Sequence, residues 1–203
     1  MSRHLSRCKI EPAPDSQFSF RIDGLEVTRW HFSKNAPRPF FYPLVGPSGS
    51  CLTRMGHPAA PNHDHHRSLW FAHEDLLGHD FWSEGKPTRI LQKQWYAIED
   101  GDDSARLGLC LHWLDGHDPQ PLLQQDLVAT IRSYSTSSRD GWSLALQSNF
   151  LTKAFIQDLA CRSGLQSWRI DSINPKLSTL LNRCNRMFNL NFHPGRSMLS
   201  ICA

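Results

Sequence analysis

The chain has no continuous apolar stretch of membrane-spanning length, and its first residues, MSRHLSRCKIEPAPDS, lack the apolar core of a secretory leader. These absences lead us to expect a soluble, cytoplasmic protein. No C-x-x-C pair is present: Cys8, Cys51, Cys110, Cys161, Cys184 and Cys202 are widely separated, which favours free thiols over a cysteine-rich zinc site or a disulfide framework. Gly46-Pro47-Ser48-Gly49 reads as a turn and lacks the Lys-Ser/Thr of a phosphate-binding loop. There is no internal repeat, and no clean helical periodicity before residue 150.

Charge is also sparse and uneven. Residues 1–150 hold 15 basic and 17 acidic residues, a net of −2, whereas residues 151–203 hold 7 and 2, a net of +5. The bases of the last quarter are dispersed and belong to no nucleic-acid-binding motif, so neither a nucleic-acid nor a membrane partner is expected.

What the chain does have is period two. Phe18, Phe20 and Ile22 alternate with Ser19 and Arg21, Asp23-Gly24 supplies a hairpin turn, and Trp30 and Phe32 are core candidates. Four prolines between Pro37 and Pro47 exclude a helix there and make RPFFYPL (38–44) an extended segment or sheet edge. Ile90–Ile98, Leu107–Leu114, Leu127–Tyr134 and Trp142–Phe150 have strand length and are separated by Gly and Asp turns. In the last of these, Trp142, Leu144, Leu146, Ser148 and Phe150 share one face. The expected fold is all-β, an antiparallel β-sandwich. Residues 1–17 read as a flexible N-terminal segment and 18–150 as the sandwich domain. Residues 151–203 read as a divergent tail with a weak amphipathic helix over 176–188.

Polar chemistry gathers between His57 and Gly85. This block holds six of the eleven histidines, with several carboxylates and two tryptophans. A neutral imidazole can bind a metal, transfer a proton near pH 7 or hydrogen-bond through either nitrogen. His63, His65 and His66 are candidate ligands for a divalent metal ion if a bend at Pro61-Asn62 draws them together, and the spacing does not choose among zinc, manganese and iron. The alternative needs no ion: His65 or His66 exchanges a proton while Arg67 holds an anionic group. For any single histidine, a structural or surface role is the simpler account. Ser68–Ala72 reads as a short strand, and Trp70 serves either the core or a sugar platform. Asp80 and Glu84 are candidate acid and base around a glycosidic bond, or solvated carboxylates beside a buried Trp82. Arg54 can reach the block from a neighbouring segment. His112, Asp115, His117 and Asp118 flank a turn as rim candidates.

RPFFYPLVGPSG, TRM and NHDHHRSLWFAHEDLLGHDFWSEG together resemble the PmoA-like family, labelled methane oxygenase PmoA, over about residues 18–150. The resemblance implies a soluble β-sandwich, akin to the galactose mutarotase-like supersandwich. It also implies a site at Arg54, His63, His65, His66, Arg67, Trp70, His73, Asp80, Trp82 and Glu84, with Ser68 where the family commonly has Gly. Beyond residue 150 the family pattern is missing or replaced, which implies truncation, a frameshift or a wrong gene boundary. The functional expectation is a carbohydrate-related enzyme with catalytic His65, His66, Asp80 and Glu84 and substrate-binding Arg54, Arg67, Trp70 and Trp82. Its partner would be a small-molecule or carbohydrate ligand. The alternatives are a non-catalytic carbohydrate-binding protein and an inactive fragment.

Overall fold

The computed structural model describes residues 5–56, 67–136, 139–152 and 188–192. They form nine strands: β1 (Cys8–Ala13), β2 (Gln17–Ile22), β3 (Leu25–His31), β4 (Phe40–Leu44), β5 (Arg89–Glu99), β6 (Ser104–Leu114), β7 (Leu123–Thr136), β8 (Arg139–Thr152) and β9 (Phe188–Phe192). β1-β2-β3-β4 make one sheet and β5-β6-β7-β8-β9 the other. Every pairing within them is antiparallel. The all-β antiparallel expectation therefore holds.

Period two explains the layers. Phe18, Phe20 and Trp30 from the smaller sheet share one core with Leu107, Leu109, Leu111, Ile131 and Leu144 from the larger, so each sheet buries one face against the other. Polar links cross the same gap: the Trp30 indole donates to Gln92 Oε1 at 2.8 Å and the Trp142 indole to the Val45 carbonyl at 2.8 Å. Asp23 and Gly24 take φ of 49° and 80° between β2 and β3, the conformation a two-residue hairpin turn requires. RPFFYPL contributes β4, an edge strand, where the missing N–H of Pro43 is tolerated.

Three expectations need correcting or bounding. Cys8–Ala13 are a paired strand, not part of a flexible segment: Cys8 and Ile10 are buried, and the Cys8 N–H and C=O both bond Gly101. Ser68–Ala72 are not a strand, since a single bridge at Leu69 to Phe41 pins an otherwise irregular segment. Most of 151–203 lies outside the described residues, including nearly all of the expected helix; Phe188 opens β9, which pairs with β8. Cys8, Cys51 and Cys110 are free thiols, and the other three cysteines also lie outside. Among the described residues no helix is long and apolar enough to cross a membrane.

Candidate functional site

Residues 67–88 run along one end of the sandwich between β4 and β5. Their path is set by apolar anchors and local hydrogen bonds. Ala72, Leu76 and Phe81 are buried, and Phe81 lies 5.0 Å from Trp113 of β6 while Phe71 lies 5.9 Å from it. Leu76 and His79 exchange backbone bonds around Leu77-Gly78, both at positive φ, and Phe81 N–H reaches the His73 carbonyl at 3.0 Å. At the near end Ser68 takes a φ of 60° and its hydroxyl pairs with Thr53 Oγ1 at 2.7 Å. A left-handed residue is thus required at this bend, and Ser holds it at some conformational cost.

The polar and aromatic groups converge above this frame. Arg67 Nη2 lies 3.0 Å from Glu84 Oε1, with the two side chains 31% and 34% exposed. Trp70 and Trp82 pack at 4.4 Å between ring centroids, tilted by 45°, and both are half-buried. Arg38 lies beneath them, its Cζ 4.0 Å from the Trp70 ring centroid and its Nη1 donating to the Phe81 carbonyl at 2.6 Å. Arg38 is only 4% exposed. Burial pulls its guanidinium down to about 10, an effect that Glu84 and Asp80 oppose and Arg67 reinforces.

The nominated residues separate into three groups. Arg67, Trp70, Trp82 and Glu84 come together, and Arg54 stands exposed on the segment that Met55 bridges to Arg67. Asp80 is close by but occupied: its Oδ1 accepts the Trp82 and Ser83 N–H groups at 2.7 and 3.0 Å. Burial opposes its ionisation, yet these bonds and the Lys86 charge outweigh that and hold its carboxyl below the usual range. That is the profile of a turn-forming carboxylate rather than a general acid. His63, His65 and His66 lie outside the described residues, so the metal and histidine-catalysis expectations fall there. Among the described residues, no group of three or more His, Cys, Asp or Glu is placed to hold a metal.

On the rim, Asp115 Oδ1 accepts the His117 and Asp118 N–H groups, and these bonds lower its pKa with a smaller contribution from the His79 charge. The Asp115 carboxylate thus closes its own turn. His112 points elsewhere along β6, where burial and then Lys93 lower its pKa. Arg38 is the residue that sequence reasoning missed. What marks it is burial against Trp70, a long-range contact that the run RPFFYPL does not contain. A separate cavity of about 700 Å³ opens near Trp142, between the Asp23-Gly24 turn and β7–β8, and contains none of the nominated residues.

Fold and site together define an all-β sandwich protein carrying an arginine- and tryptophan-lined polar patch at one end. The chain belongs to DUF6807, a family of unknown function, whose profile matches residues 17–172. This overturns the PmoA-like assignment: the matching family is described by no methane-oxygenase activity, and the match runs 22 residues past the point where the family pattern was expected to stop at 150. No curated protein and no solved structure matches the chain.

Proposed function

We propose that the face formed by Arg67, Trp70, Trp82 and Glu84 is a carbohydrate-recognition site. The observation that carries this reading is the half-buried Trp70–Trp82 pair bordered by the Arg67–Glu84 ion pair. Indole faces suit the C–H surface of a sugar ring. Arg67 offers a fork of donors and Glu84 two acceptor oxygens, a combination that matches vicinal hydroxyls. Their exposure leaves both able to exchange partners. Asp80 is committed to its own turn and Glu84 lies beside Arg67, an arrangement that supports binding and orientation of a ligand.

The test is titration of the full chain against a glycan panel, followed by calorimetry on the hits. Trp82→Ala is expected to weaken binding by about tenfold, equivalent to about 1.4 kcal/mol, and Glu84→Gln by a smaller factor. A panel with no ligand, or a hit whose affinity is indifferent to Trp82 and Glu84, rejects the reading.

A further inference from the structure

We infer that the ligand of this site is an acidic sugar of the uronate class and that Arg38 selects it through the ligand's carboxylate. The inference rests on the carbohydrate reading above and goes beyond it in naming the ligand's charge. Arg38 Nη2 is buried and has no hydrogen-bond partner. Nη1 of the same guanidinium donates to the Phe81 carbonyl, and Cζ lies 4.0 Å from the Trp70 ring centroid. Native proteins satisfy nearly all buried donors, and a donor on a buried cation is among the costliest to leave unpaired. No described carboxylate makes an ion pair with Arg38; Glu84, whose charge acts on it, is bonded to Arg67. The site therefore holds a buried cation with an unpaired Nη2 beside an aromatic pair, and an oxyanion supplies the missing acceptor.

Two features narrow the class. Arg38 lies against the same indole that packs on Trp82. A carboxylate at the edge of a ring bound beside this pair, as a uronate carries, is the group such a guanidinium would select. The unpaired group on Arg38 is the single nitrogen Nη2, and one carboxylate oxygen is enough to satisfy it. Because Nη2 has no exposed surface, a carboxylate reaches it only as neighbouring side chains shift, and the indole lying on the guanidinium reports that shift.

The experiment titrates the full chain with glucuronate and galacturonate oligosaccharides, their neutral glucose and galactose counterparts, and the corresponding hexose phosphates, followed by calorimetry and tryptophan emission. Uronates are expected to bind at least tenfold more tightly than neutral sugars, with a change in emission and an affinity that falls with salt. Arg38→Lys keeps the charge but loses the fork, and is expected to abolish the preference for uronate over neutral sugar. Should that variant fail to fold by circular dichroism, the wild-type ratio of acidic to neutral affinity decides. Equal affinities, tighter binding of hexose phosphates, or a folded Arg38→Lys protein that keeps the preference overturns the acidic-ligand inference and leaves the carbohydrate reading standing. Binding of no sugar overturns both.

Discussion

Asp80 and Arg38 sit close in space and show how differently two charged residues can be used. The Asp80 carboxylate gains two backbone donors and a nearby cation, so its folded pKa lies below its unfolded value of about 3.9. A depressed carboxyl pKa stabilises the fold above the unfolded pKa, and the contribution is lost as pH falls through the folded one. Asp80→Asn keeps an oxygen for the turn but no charge. The wild type is therefore expected to exceed Asp80→Asn in stability by roughly 0.5–1 kcal/mol near neutrality, after allowance for solvent screening. The gap should close as pH drops below about 4. Thermal midpoints of both proteins across that range check it, and a gap that does not narrow refutes it. Arg38 is the opposite case, a charge that local bonding leaves incomplete. Composition flagged Asp80 as a candidate and passed over Arg38, because a carboxylate among histidines stands out while an arginine heading RPFFYPL reads as a flank. Burial of that arginine comes from the tryptophan it meets 32 positions later, which no local pattern contains.

At the level of the strand, alternation was readable wherever one face is wet and the other dry. The β8 face of Trp142, Leu144 and Phe150 is buried as its period predicts. Ser148, on the same face, has a reason to be there. Trp113 Nε1 donates to Gln125 Oε1 at 3.0 Å and Gln125 Nε2 to Ser148 Oγ at 2.9 Å, a polar chain across β6, β7 and β8 with Gln125 only 2% exposed. Gln125→Leu has a similar volume but strands the indole N–H and leaves the serine hydroxyl without this donor. It is expected to destabilise by about 1–3 kcal/mol, measured by urea denaturation, and a neutral result would mean that the two ends find other partners. β1 was not legible for a related reason. CKIEPA carries charge and a proline, and it is a strand because Gln17–Ile22 pairs with it along its whole length and Gly101 caps its start. The 68–72 segment misled in the reverse direction. Its apolar run resembles a strand, but Phe71, Ala72 and Phe81 insert as separate anchors into the end of the core rather than lining a sheet.

For the molecule as a whole, the central question is how firmly the candidate site is joined to the sandwich. Trp113 is the joint: it is 1% exposed, lies 5.0 Å from Phe81, 5.9 Å from Phe71 and 6.5 Å from Phe150, and so couples the loop carrying Trp70, Trp82 and Glu84 to the larger sheet. The sheets themselves are held independently of it, by Trp30 with Gln92, by Phe18 against Trp95 and by Cys8 with Gly101. Trp113→Leu removes aromatic contact on the loop side and the donor to Gln125 on the sheet side. A loss of about 3 kcal/mol in global stability is expected from the volume lost. The loss should not be uniform, because a loop docked through a few anchors opens at lower free energy than the strands beneath it. Hydrogen exchange separates the two effects. In Trp113→Leu, the Phe81 amide, bonded to the His73 carbonyl, should lose more protection than the Leu109 amide in the centre of β6, and affinity for the site's ligand should fall with it. Equal losses at both amides would mean that loop and sandwich open as one unit, in which case the preorganisation of the tryptophan pair comes from the whole core and not from this joint.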